Sequence, residues 1–355
     1  MPARELEEVP MSIVGGLDVH RKQITFDYVD TETGRLERGQ VRPADRAHLA
    51  VWLRKRFAAG ERVEFAVEAC TGWRYVVEEL QQAGCVAHLA DPAETAAARG
   101  RKKRAKTDRA DARLERELLA DGRLPECWIP PTYILECRAL LETYHELREQ
   151  HTGWLQRIHA VLFHQGAPSL AGSLDTEAGR ARLAEIAASQ LSPVGQVQIA
   201  VALQMMAAID VHLEALRTRI RAATRRVHGA RVLTDRLFGV GPMTALALCC
   251  WLAGANRFSS SRKAVRFAGL DITVYSSNSK RSPGHLSRQG PSVLRWTLYE
   301  AGKAHARGSA PDHAYYAQVK DRIDGKRAAL SEARKIIRKA VHILDELGDQ
   351  ALAVT

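Results

Sequence analysis

The chain has 355 residues, 46% of them hydrophobic and 26% charged, proportions ordinary for a globular protein that argue against disorder; no apolar run reaches about 18 residues, so no membrane span is expected. A length above about 250 to 300 residues, where single cores stop growing, calls for two or three domains. The formal net charge of +11 is concentrated, with seven basic residues against one acid from Arg99 to Arg109 and ten against two from Arg257 to Arg307. Two such clusters favour a polyanion over a merely solvated face, because each neutralised phosphate releases counterions.

In chain order, IVGGLDV and ITFDYV around the polar turn His20–Gln23 read as a β-hairpin, and a third strand follows near Leu36–Val41. Pro43, Asp45 and Arg46 open a helix running to about Ala59. RVEFAVEA is a strand, Thr71-Gly72 turns it into a helix over Trp73–Ala83, and CVAHLA is another strand. This order predicts an α/β domain with a mixed sheet, ending where LPECWIPP breaks the pattern. From Tyr133 the period becomes helical, with helices expected over about 133–165, 175–188 and 193–227. Apolar residues recur there at spacings of three and four, as in an antiparallel helical hairpin or coiled coil.

Beyond Leu233 short helices alternate with glycines. GVGPMTALAL resembles a helix-hairpin-helix, whose amides suit a phosphate. A polar stretch, DITVYSSNSKRSPGHLSRQG, precedes two closing helices. The expected domains are 1–128, 129–230 and 231–355. None of the six cysteines forms a CxxC pair, and they read as buried small hydrophobes. The N-terminus lacks a signal-peptide pattern, so an intracellular location is expected. His285 and His305 are candidate proton carriers.

Four acids stand out. Asp18 and Glu68 each end an apolar strand, where neighbouring strands can bring them to one sheet edge. Asp108 and Asp111 are three apart and share a face on a helix. Such a set suits hard divalent cations, Mg2+ or Mn2+, and a pair of these about 4 Å apart clamps both oxygens of a phosphodiester displacement. The basic run Arg101, Lys102, Lys103, Arg104 and Lys106 just upstream would hold the backbone. The same acids also read as strand-end turns and a helix N-terminus.

GLDVHRK, FAVEACTGW and KTDRADA resemble the acidic DEDD motif of insertion-sequence transposases of the IS110 family, also described as bridge-RNA-guided recombinases. The segment from GVGPMTALAL to GPSVLRW resembles that family's second domain. The resemblance implies a RuvC-like, ribonuclease-H-type N-terminal domain, a long helical insert and a mainly helical C-terminal transposase domain. It implies that Asp18, Glu68, Asp108 and Asp111 are metal-binding and catalytic. It also implies a serine nucleophile, which counting from Gly269 puts at Ser277, with Ser276 the alternative. Ile272 and Asn278 depart from the family's usual proline and glycine.

Lys280, Arg281, Arg288 and Arg295 flank that serine and suit phosphate contacts. The resemblance further implies donor and target DNA, a guide RNA, dimers pairing into tetramers in which one subunit's acids meet another's serine, and a cytoplasmic, nucleoid-associated setting. The activity it implies is DNA recombination by strand transfer. A RuvC-like junction nuclease using the acids alone, and a non-catalytic nucleic-acid-binding protein, are the competing readings.

Overall fold

The computed structural model describes residues 13–58, 60–99, 107–170, 174, 176–254, 257–272, 275–277, 280–282 and 284–354, with the side chains of 275–282 outside that description. The chain divides into two compact units, 1–129 and 130–355.

The first unit is built on one sheet. Its elements are β1 (Ile13–Val19), β2 (Ile24–Asp30), β3 (Leu36–Val41), α1 (Arg46–Arg56), β4 (Val63–Glu68), α2 (Trp73–Gln82), β5 (Val86–Ala90), α3 (Pro92–Ala98), α4 (Asp108–Ala120) and β6 (Glu126–Cys127). The strand order is β3-β2-β1-β4-β5-β6. β1 runs parallel to β4 and β4 to β5, while β2, β3 and β6 run antiparallel to their neighbours. A mixed sheet of this kind with helical partners fits a ribonuclease-H-type α/β domain.

Side chains alternate across the sheet, and the two faces have different partners. Ile13, Leu17 and Val19 of β1 face a core shared with α1 and α2, in which Phe26, Tyr28, Trp52, Phe57 and Phe65 stack edge to face or tilted. Val14 of β1 and Ala66 of β4 face the other way and pack with Leu119 of α4. Arg116 of α4 fixes that packing through its ion pair to buried Asp27 of β2, Nε to Oδ1 at 2.5 Å.

The second unit begins with α5 (Thr132–His164), α6 (Glu177–Gln190) and α7 (Pro193–Arg226). α5 and α7 form the expected antiparallel hairpin, and polar rungs fix its register. Arg226 lies over the Tyr133 ring, Arg217 Nε donates to Tyr144 Oη at 3.0 Å, and His151 Nε2 is 3.4 Å from Asp210 Oδ1. At the far end the Ser192 amide donates to Gln165 Oε1 at 2.8 Å. By length and composition α7 could cross a membrane, a test that the core helix of a soluble protein also passes. Its Ile199, Ala202 and Met206 bury against α5 and α6 residues.

α8 (His228–Arg236) and α9 (Pro242–Leu252) follow, joined through Gly239 and Gly241. α9 is apolar all round and buried from Thr244 to Leu252, so it forms the unit's central helix. Arg138 of α5 donates from Nε and Nη2 to the Cys250 carbonyl at 2.9 and 2.7 Å. α10 (Ser261–Phe267), β7 (Tyr275–Ser277), β8 (Lys280–Ser282), α11 (Ser292–Lys303), α12 (His313–Arg322) and α13 (Gly325–Leu347) complete the chain. α12 falls in a stretch for which the sequence carries no helical expectation, and it packs on α13 through Tyr316 and Val319.

Candidate active site

Strand register brings the first two acids together. Leu17 pairs with Val67 across the parallel strands β1 and β4, so Asp18 and Glu68 come next, side by side, at the strands' C-terminal ends. Asp18 shares the sheet face of Val14 and Gly16, and Glu68 that of Ala66, the face on which α4 lies.

The other two acids come from the first turn of α4. Thr107 caps this helix through its side chain, which accepts from the Ala110 amide. Carboxylates in a first turn are favoured by the helix dipole. Gly16 allows α4 to approach, since a Cβ there would lie 2.1 Å from the Ala112 carbonyl oxygen and 2.7 Å from the Arg116 nitrogen. Asp18, Glu68, Asp108 and Asp111 consequently line one open cleft of about 900 Å³, with His20, Thr71 and Tyr75 also on its walls.

Cationic and amide groups already lean on these acids. His20 Nε2 lies 3.1 Å from Asp18 Oδ2 and 3.3 Å from Asp108 Oδ1. Gln23 Nε2 donates to Asp108 Oδ2 at 2.9 Å, and Arg99 Nη2 is 2.6 Å from Asp111 Oδ1. The Asp18 and Asp111 contacts have ion-pair distances but not hydrogen-bond geometry, leaving both buried oxygens without a hydrogen-bond partner. Burial pushes the Asp18 carboxyl up to about 6. His20 opposes that rise, and Asp108, Asp111 and Glu68 add to it.

Glu115, one turn beyond Asp111, is a fifth acid at this place. It is 1% exposed. Burial drives its carboxyl well above the usual range, helped by Asp18 and Glu68 and partly offset by a hydrogen bond with the Leu17 backbone. Beside the cleft, burial and then the Glu68 charge raise the Cys70 thiol to about 11.

The donor set tests well against a divalent ion. Asp18, His20 and Asp108 each offer an atom within 4.8 Å of the others. An unpartnered carboxylate oxygen in a mostly acidic cleft is what a hard cation needs. The sequence reading missed Glu115 and Arg99 as members of this constellation. The Asp111–Glu115 spacing of four was a usable signal, whereas Arg99 was legible only as part of a basic run. Arg101, Lys102, Lys103, Arg104 and Lys106 lie outside the described residues.

In the second unit, β7 and β8 form a small antiparallel hairpin in which Ser276 pairs with Arg281 and Ser277 with Lys280. The side chains of Ser276, Ser277, Lys280 and Arg281 lie outside the described residues. The base of this segment is defined. Ile272 bridges Leu286, and the Ser287 hydroxyl bonds Asp271 Oδ1. Gly269, at φ +66°, passes so close to Gln289 that a Cβ would sit 2.1 Å from its carbonyl oxygen. Arg288 is exposed and adopts φ 53°. Arg295 donates from Nη1 to the Ala268 and Gln289 carbonyls, both at 3.2 Å, so part of its guanidinium ties this loop to the end of α10.

Residues 15–164 match a family model for a DEDD-type IS110 transposase, and residues 232–317 match the Transposase IS116/IS110/IS902 family. A protein of Pseudomonas aeruginosa described as a probable family 20 transposase is 24% identical over 251 residues, covering 68% of this chain and 71% of the relative. The first match spans the whole acidic cleft and the second spans the β7–β8 hairpin, in the order expected for one family, and the chain belongs to the IS110 family of transposases.

Proposed function

We propose that the chain cuts and rejoins the DNA strands of an insertion sequence, with a serine hydroxyl as nucleophile and the acidic cleft as a divalent-cation site. The observation that carries this reading is the arrival of Asp18, Glu68, Asp108 and Asp111 in one cleft from two parallel strands and one helix. Those four residues would hold Mg2+ or Mn2+, which when bound supplies Lewis-acid stabilisation of charge on the phosphoryl oxygens.

Asp18 and Asp108 hold the His20 imidazole between them, and Gln23 orients Asp108. Ser277, or its neighbour Ser276, forms an ester bond to phosphorus as a bridging phosphorus–oxygen bond of the strand breaks. The serine proton goes to a base, and the departing sugar oxygen takes one up. The phosphoserine link conserves the bond for rejoining, which suits recombination better than hydrolysis. Arg288, Lys280 and Arg281 would hold the strand, with Arg295 supporting the loop that presents them. The basic run 101–106 would contact the backbone.

Donor and target DNA, an RNA guide, a cytoplasmic nucleoid-associated setting and assembly of dimers into tetramers follow from family membership as further parts of this reading. Assembly is supported by α7, where Val194, Val197, Val201 and Met205 are exposed at spacings of three and four.

The experiment incubates the chain with Mg2+, the flanking non-coding RNA and candidate DNA, then maps any covalent protein–DNA adduct by mass spectrometry. An adduct at Ser277, lost in Ser277→Ala, is expected. Cleavage that persists in both Ser276→Ala and Ser277→Ala without an adduct would establish hydrolysis by water instead. DNA binding with neither cleavage nor adduct in the wild type, and unchanged in Asp18→Asn, would make the protein a non-catalytic binder.

A further inference from the structure

The second unit contains another constellation, which shares no residue with the acidic cleft. His305 lies in a short 3-10 turn, Ala304–Ala306, after α11. Asp312 precedes α12, where its side chain makes no capping bond. Glu332 is on α13. His305 is 3% exposed and Glu332 0%. The three residues each offer one ligand atom, and these atoms lie within 4.8 Å of one another.

The interior of this cluster is unsatisfied. His305 Nδ1 and Nε2 and Glu332 Oε2 are buried without a hydrogen-bond partner. His305 Nδ1 and Glu332 Oε2 are 3.7 Å apart, too far for a hydrogen bond. Two ligands about 2.1 Å from one zinc ion at near-tetrahedral angles would be about 3.4 Å apart, close to that separation. Buried polar atoms left unpaired lose their hydration without recompense, so three in one place call for an occupant.

The surroundings are ordered around the same point. Lys335 Nζ donates to the other Glu332 oxygen, Oε1, at 3.2 Å, and Lys339 Nζ to Asp312 Oδ2 at 3.3 Å. Ammonium groups that hydrogen-bond a carboxylate in this way fix the direction in which it presents its oxygens. His313 Nδ1 is 3.3 Å from the His305 carbonyl, and the Phe238 ring packs edge-on against the imidazole at 5.2 Å. The two lysines offset the two carboxylates. An ion would therefore be held by its ligand bonds rather than by net charge, and Lys339 is exposed enough to be screened.

We propose that His305, Asp312 and Glu332 bind a transition-metal ion, with zinc the best chemical match. A mixed imidazole–carboxylate set favours zinc or cobalt over magnesium, which prefers oxygen alone. Three protein ligands leave one position for water. The ion ties the turn after α11, the start of α12 and the middle of α13 to one another.

The test uses the full chain. Protein purified without chelator is expected to contain about one equivalent of zinc by elemental mass spectrometry. The stripped protein, titrated with Co2+, is expected to develop visible d–d bands that zinc abolishes and excess Mg2+ leaves unchanged. The bands are expected to persist in the double variant Asp18→Asn, Asp108→Asn, which disables the acidic cleft, and to be lost in His305→Gln and Glu332→Gln. If those two variants do not fold, the wild-type and double-variant titrations still decide. Absence of bands in the wild type, or their loss in the double variant, overturns the proposal and leaves a metal-free buried polar cluster.

Discussion

Gly16 lies directly beneath Ala112, with so little room that a Cβ on the glycine would stand 2.1 Å from the alanine carbonyl oxygen. The helix bearing two of the four acids can come down on the strand bearing the first only because that side chain is missing. Gly16→Ala is therefore expected to push α4 outward and destabilise the first unit by about 3 kcal/mol. Divalent binding, measured by Mn2+ calorimetry, is expected to weaken at least tenfold. Gly15→Ala is the contrasting variant. Its Cβ would meet the Phe65 ring on the opposite face, so it is expected to lower stability while leaving Mn2+ affinity much closer to wild type.

The buried carboxyl of Asp18 gives metal-free protein a specific pH dependence. Its folded value is about 6 against an ordinary 3.8, so its neutral form is the one the fold favours. That contribution is complete below about pH 3.8 and is lost as pH rises through 6, a change of up to about 3 kcal/mol. Glu115 adds to it with the same sign. Thermal midpoints in chelator are expected to fall across this window from Asp18's contribution, less steeply in Asp18→Asn than in wild type. Added Mn2+ at neutral pH is expected to restore the wild type but not the variant.

Arg99 occupies Asp111 at 2.6 Å, a place that a cation bound by that carboxylate would take. Arg99→Ala is expected to tighten Mn2+ binding several-fold in calorimetry, because the ion no longer displaces a guanidinium. Weaker binding in this variant would instead identify Arg99 as a group that orients Asp111.

In the second unit the buried Cys250 carbonyl receives two hydrogen bonds from Arg138, and burial lowers the arginine from its usual range. Arg138→Met retains much of the apolar stem but strands the carbonyl. A loss of about 2–3 kcal/mol is expected from chemical denaturation. Arg138→Lys, which cannot make the forked bond, is expected to fall between the two.

Much of this was legible beforehand for identifiable reasons. Asp18 and Glu68 end apolar runs, and parallel pairing then sets them abreast. Asp108 and Asp111 are separated by one helical spacing. The α5 and α7 helices announce themselves through apolar periodicity. Glu115 escaped notice because it lies within an ordinary amphipathic helix, and its burial depends on the absence of a side chain at Gly16. His20 looked like a turn residue because the second of its two carboxylate partners, Asp108, is distant in sequence. His305 was legible only as a lone histidine, since Asp312 and Glu332 join it through tertiary packing. α12 was hidden because it is short and its outer face is polar.

The rungs between α5 and α7 differ in kind from end to end: a cation over a ring, a phenol taking a guanidinium proton, an imidazole beside a carboxylate and an amide at the tip. No sliding of one helix along the other by a turn could satisfy all four at once. With 34 residues in α7, the paired rods extend for about 50 Å. A load applied at the tip would thus be transmitted to the base along a lever of fixed length, instead of being absorbed by slippage between its two halves.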